Sequence, residues 1–234
     1  MEISKFLSVI LASLVAGILG GLAAFSYLIG NSSFYSEGGL SFSPVRVTEK
    51  LVTTIQENKA LKDAVAKAAN IAVGIKVTGA KGAVTYGSGV ILTSDGLVAV
   101  PYSLFPPGAS AEVIAGGKKV AFEVVNRDKE KNLAILKLEN SNWPTASFYQ
   151  FENLKLGERI FLAGTLSAGG NFVNEGVVRD FTPAVVNTGI VEKAETLGSP
   201  AFDIEGNIVG IAVLDKTGWV SLIPITVIKS VSEL

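Results

Sequence analysis

Three groups lie close enough in the sequence to suggest covalent chemistry: the Lys193 amine and the hydroxyls of Thr196 and Ser199. A serine beside a lysine can carry acyl transfer as a Ser-Lys dyad. The amine must then lose its proton in a water-poor pocket, within about 3 Å of the hydroxyl. The commoner base is missing, because the 234 residues include no histidine, and imidazole is the side chain that accepts and returns a proton near neutral pH. A Ser-His-Asp relay therefore cannot be assembled from this chain's own side chains. The chain also lacks cysteine, which removes thiol nucleophiles, disulfides and thiolate metal sites. Its Asp and Glu residues show no clustered ligand spacing, so neither a metal nor a cofactor is expected, with calcium on a loop left open. The serine elbow Gly-x-Ser-x-Gly does not occur. Lys and Arg number 20 against 21 Asp and Glu. The longest basic run is Lys118-Lys119 beside Gly116-Gly117, so nucleic acid is not an expected partner.

The elements that must position these groups are strands. After Asn70, short apolar runs follow one another: 71–77, 89–93, 97–100, 119–125, 132–138, 159–164, 208–214 and 219–225. Turn signals separate several of them, among them Ser94-Asp95-Gly96, Glu205-Gly206-Asn207 and Lys216-Thr217-Gly218. Many short strands at this spacing predict a sandwich or barrel, and residues 70–234 are long enough for two packed barrels. Ahead of them, residues 48–69 show an imperfect helical stripe through Leu51, Ile55, Leu61, Val65 and Ala68, which predicts an amphipathic helix lying against the barrel. Residues 31–47 read as a flexible, Ser- and Gly-rich linker.

The stretch from Phe6 to Gly30 has no charge and is long enough to cross a hydrocarbon core of about 30 Å. It predicts a single-pass signal anchor in the cell membrane, with cleavage after Ala24 or Ser26 as the alternative. Lys5 precedes the span, and Asn31 to Val45 has neither Lys nor Arg. The expected topology thus puts tail 1–5 in the cytoplasm and the folded domain outside. Ser8, Ala12, Ala16, Gly20 and Ala24 recur every four residues, a stripe that would let two anchors approach closely and form a homo-oligomer.

Several segments, in order, resemble an HtrA/Deg-type trypsin-like serine protease domain. Gly87-Ser88-Gly89-Val90-Ile91-Leu92 with Ser94-Asp95-Gly96 is similar to the hairpin ahead of that family's histidine. Asn132-Leu133-Ala134-Ile135-Leu136-Lys137 is similar to its DLAVLK strand, and Gly164 through Gly176-Val177-Val178 to its next strand pair. Gly198-Ser199-Pro200-Ala201-Phe202-Asp203 with Gly206-Asn207-Ile208-Val209-Gly210-Ile211 is similar to its GGPLVN…G-x-VIGI run. Leu222-Ile223-Pro224-Ile225 to Lys229 is similar to its closing strand and short helix. The resemblance implies an all-β, trypsin-like double β-barrel with the active site between the barrels. It places Ser103 at the histidine position (Tyr102 if the loop shifts by one), Asn132 at the aspartate, Leu197 at the nucleophile and Glu195 at the leading glycine of the oxyanion loop.

All four positions depart from the family pattern. A leucine has no nucleophilic atom, an asparagine carries no charge to steady an imidazolium, and a glutamate restricts the backbone that a glycine frees. No sequence follows Leu234 for the PDZ domain that typical relatives carry. The expectation is accordingly a catalytically inactive pseudoprotease, not an enzyme: a membrane-anchored binding or scaffolding module whose cleft takes extended peptides. A structural subunit of a membrane assembly is one alternative. A serine-type endopeptidase using non-standard residues is the other.

Overall fold

A computed structural model describes residues 2–30, 57–79, 82–166 and 170–234. The linker expected over 31–47 and the first part of the helix expected over 48–69 lie outside these residues. The chain divides into two units, Met1–Thr53 and Thr54–Leu234.

The described part of the first unit is one helix, α1 (Glu2–Gly30). Its segment Leu7–Tyr27 has a mean hydropathy of 2.3 over 21 residues, none of it buried. That length and composition suffice to cross a bilayer, and a signal sequence near an N-terminus has the same character.

The second unit opens with α2 (Glu57–Ile71), whose Ala64, Ala68 and Ile71 are buried in the core. Thirteen strands follow in two sheets. The first holds β1 (Ala72–Thr78), β2 (Val84–Ile91), β3 (Leu97–Pro101), β4 (Ser110–Ala115), β5 (Lys118–Val120), β6 (Phe122–Asp128) and β7 (Leu133–Leu138), in the order β5-β4-β1-β2-β3-β7-β6. The second holds β8 (Arg159–Thr165), β9 (Asn171–Thr182), β10 (Val185–Val191), β11 (Pro200–Asp203), β12 (Ile208–Leu214) and β13 (Trp219–Pro224). It closes as a barrel in the order β10-β13-β12-β11-β8-β9. α3 (Ile225–Ser232) ends the chain and buries Ile225, Ile228 and Val231.

The expected all-β architecture of two packed barrels holds, with one refinement: the first sheet is a half-barrel. Its border strands β5 and β6 are separated only by Ala121. One run of chain pairs with β4, breaks at Ala121, then pairs with β7. At the break the Glu139 N–H donates to the Ala121 carbonyl at 2.9 Å.

Alternation along the strands explains how the sheets join. On β8, Ile160 and Leu162 point into the barrel with Val186, Val209 and Leu222. Phe161 and Ala163 point the other way, into a core shared with Ile75, Val90 and Leu136 of the first sheet. Phe161 stacks on Phe202 with ring centroids 5.3 Å apart. A strand buried on both faces reads as a continuous apolar run, and the sequence of β8 has that form.

Candidate functional site in the groove beside Leu197

Between β10 and β11 the chain makes a 3-10 turn over Ala194–Thr196. The Thr196 N–H donates to the Lys193 carbonyl at 3.0 Å and the Leu197 N–H to the Ala194 carbonyl at 3.3 Å. The Thr196 hydroxyl is spent as well, donating to the Lys193 carbonyl at 2.8 Å. Two further bonds moor the loop to both sheets. The Ser88 N–H of β2 donates to the Leu197 carbonyl at 2.7 Å, and the Gly198 N–H donates to the Ala212 carbonyl of β12 at 2.8 Å. Gly198 takes φ +82°, and a Cβ there would overlap the Ser88 carbonyl, so no other residue fits without displacing β2. A Cβ on Gly87 would sit 2.7 Å from the Leu197 carbonyl, which marks a second close approach.

The structure brings two of the expected site residues directly together. The Asn132 side-chain carbonyl accepts a hydrogen bond from the Ser103 N–H at 2.8 Å, and the Asn132 main-chain carbonyl accepts one from Tyr102 at 3.0 Å. Asn132 sits at φ 52°, a conformation that asparagine tolerates better than most residues. It thus acts as a clamp on the 3-10 turn Tyr102–Leu104. Ser103 is exposed and Tyr102 half-buried. Leu104 approaches Leu197 across Gly87, so the loops carrying Ser103, Asn132, Glu195 and Leu197 converge on one side of the junction. Leu197 is half-buried, Glu195 half-buried and Lys193 exposed. The hydroxyl of Ser199 is fully buried without a hydrogen-bond partner, as is that of Ser88.

Facing the loop is a cavity of about 350 Å³ lined by Ala194, Leu197 and Leu214 on its apolar side and by Glu192, Asp215 and Lys216 on its charged side. Asp215 accepts hydrogen bonds from the Thr217 hydroxyl at 2.6 Å and the Thr217 and Trp219 N–H groups at 2.8 and 3.0 Å. These donors, the hydroxyl foremost, hold its carboxyl below the usual range, so it stays ionised at neutral pH. Glu192 accepts from the Asn174 amide at 2.7 Å.

The backbone wall of this cavity was not anticipated from the sequence. In antiparallel pairing, successive residues turn their N–H and C=O to opposite sides. Ala212 exchanges bonds with Gly198 and Ser199, both at 2.8 Å, while Asp215 donates to Trp219 of β13 at 3.1 Å. Val213 therefore faces β13, in register with Ser221, and Leu214 faces the side where β11 has given way to the loop. The Leu214 peptide groups form a short ladder edge beside Leu197. The turn signal Lys216-Thr217-Gly218 was visible in the sequence. The alternation that aims Leu214 depends on the register of β12, which no local pattern reveals.

With this geometry in place, comparison with known proteins defines the class. A family model described as a trypsin-like peptidase domain matches residues 87–211, more than half of the chain. This chain belongs to that family. It is similar to a probable periplasmic serine endoprotease, DegP-like, of Bartonella henselae, with 28% identity over 153 residues covering 58% of this chain and 29% of the relative. It is also similar to the anti-sigma-I factor RsgI9 of Acetivibrio thermocellus, with 32% identity over 136 residues covering 55% of this chain and 19% of the relative. Among solved structures, the HtrA-type protease AlgW with tripeptide matches with a TM-score of 0.67 and 21% identity, covering 74% of this chain and 62% of that one. The chain therefore spans less than a third of these curated relatives.

These relatives correct one expectation. The chain was expected not to be an enzyme, whereas proteins named serine endoproteases recur among those it matches, which points to a protease. The expectation rested on four altered positions and on the lack of histidine and cysteine.

Proposed function

We propose that the domain takes extended polypeptide into the groove between Leu197 and Leu214, as a peptidase-class domain handles its substrate. The observation that carries the reading is the ladder edge at Leu214 beside a 350 Å³ cavity with an apolar floor. Backbone groups on such an edge supply affinity by strand addition, and the cavity supplies side-chain selectivity. The endoprotease names of the relatives support the same reading, as does a solved HtrA-type protease with a tripeptide. Hydrolysis by this chain's own side chains uses no histidine relay, so its nucleophile and proton acceptor are non-standard. Ser199 with Lys193 is the pair that the loop offers. Ser199 is buried and Lys193 exposed, so turnover through them requires the 194–199 turn to open.

Titration of the full chain in detergent micelles with fluorescein-labelled casein peptides tests the reading by anisotropy. Saturable binding that weakens about tenfold in Leu197→Asp, a loss of about 1.4 kcal/mol, is expected. Absence of saturation with every peptide overturns it. Mass spectrometry of the same mixtures reads turnover, and cleavage that disappears in Ser199→Ala assigns the nucleophile.

A second reading, favoured by the relative named an anti-sigma factor, is a regulatory module in which occupancy of the groove is the output. α1 fits either reading as a membrane anchor or an export signal. The periplasmic relatives favour an extracytoplasmic place for the folded unit. If α1 is retained as an anchor, its small-residue stripe brings two copies together.

A further inference from the structure

A second cavity, of about 700 Å³, lies between the two sheets and is lined in part by Gly87. Its walls come from β1, β2, the β4–β5 turn at Gly116-Gly117, the end of α2 and β8. Among the described residues its lining contains one charged side chain, Lys76, and no carboxylate. The same lining includes the neutral polar side chains of Asn70, Tyr86, Thr165 and Asn171. Tyr86 is the cross-strand partner of Lys76 on β2, and on β4 the partner is Glu112.

Glu112 does not cancel the lysine. Its carboxylate is 2.8 Å from the Lys119 ammonium and 3.9 Å from that of Lys76. Lys119, the nearer cation, is also the chief cause of its lowered pKa. Near the cavity the Lys76 ammonium thus shares one carboxylate with the closer Lys119. Half-buried, Lys76 is screened less than a surface lysine and keeps donor capacity for an incoming group.

We infer that this cavity is a carboxylate-recognising subsite for the polypeptide held beside Leu197, with Lys76 as the charge that selects. The inference rests on the peptide-binding reading above and names its substrate class: polypeptides with a carboxylate placed beyond the segment on the Leu214 edge. That carboxylate belongs either to an Asp or Glu side chain or to a free C-terminus. Gly87 lines the cavity and packs against the Leu197 carbonyl, so the cavity and the groove are neighbours that one extended chain would bridge.

The test uses the full chain in detergent micelles and neutral labelled heptapeptides in which one Asp is stepped through every position. Each peptide is made with a free C-terminus and as the C-terminal amide. At one register the Asp, in the amidated series, strengthens binding about fivefold, the scale of one partly exposed ion pair. If the C-terminus is the source, the Asp-free peptide with a free carboxylate shows that gain and its amide does not. The gain disappears in Lys76→Gln, shrinks in Lys119→Gln, which frees Glu112 for Lys76, and is largely restored in Lys76→Arg. Affinities indifferent to the carboxylate, or a gain that persists in Lys76→Gln, overturn the subsite while leaving groove binding intact.

A second measurement is independent of the groove. N-acetyl-aspartate is titrated against protein with isotope-labelled lysines, and the Lys76 side-chain resonance is expected to shift saturably. A shift at Lys76 without peptide binding supports the subsite and overturns only the groove reading. No shift at Lys76 overturns the subsite.

Discussion

Asn132 shows how one side chain can serve structure where catalysis was sought. Its carbonyl holds the Ser103 N–H at 2.8 Å and its backbone occupies φ 52°. Asn132→Ala should therefore lower stability by about 1–2 kcal/mol, from a lost hydrogen bond and a disfavoured conformation. Asn132→Asp keeps an acceptor and tolerates the same φ, so it should stay within about 0.5 kcal/mol of the parent. Urea midpoints measure both, and equal losses in the two variants would refute the clamp. Asp215 supplies a pH prediction. Its folded pKa lies below the unfolded value, chiefly through the Thr217 hydroxyl. Its contribution is thus fully present above the unfolded carboxylate pKa of about 3.9 and lost as pH falls through the folded value. Unfolding midpoints taken from pH 6 down to pH 2.5 should fall less steeply in Asp215→Asn. At this scale the sequence named candidates but not their partners: the Asn132–Ser103 bond spans 29 residues and follows only from the fold.

Strands buried on one or both faces were legible as apolar runs. β1, β3, β7, β8, β12 and β13 all fall where such runs predicted them. β4 was not, because Ser-Ala-Glu-Val-Ile-Ala has few β-branched residues and is only partly buried. The run at 119–125 was read as one strand and is two, since it serves opposite borders of the half-barrel with a break at Ala121. β8 gives the clearest test of packing between sheets. Phe161→Ala removes a ring that is 1% exposed and stacked on Phe202, and should cost about 3–5 kcal/mol. Leu156→Ala, at a side chain 67% exposed, should change stability by less than about 0.5 kcal/mol. Thermal denaturation of the two variants separates them, and comparable losses would contradict the described burial.

Across the whole unit Thr54–Leu234, one apolar cluster joins α2, the first sheet, α3 and the outward face of β8, β11, β12 and β13. The two sheets should therefore unfold together. The two tryptophans report on them separately, since Trp143 packs by Gly96 of the first sheet and Trp219 lies on β13 of the barrel. Single-tryptophan variants Trp143→Phe and Trp219→Phe should give coincident denaturant midpoints after correction for each variant's own stability by circular dichroism. Separated midpoints would divide the unit in two. The architecture was legible because its motifs occur in order, although each is short. The positions of the groove edge and of Lys76 were not, because both depend on which strands become neighbours.

The crowding at Gly87 and Gly198 sets an uneven mutational freedom around the groove. The hinge points that suspend the floor admit no added carbon, whereas the floor itself, at Leu197, is only half-buried and open to exchange. A saturation library sorted for folded protein should be depleted of variants at the two glycines and rich in variants at Leu197. The side chain at the bottom of the groove can thus be exchanged by single substitutions while the frame around it stays fixed.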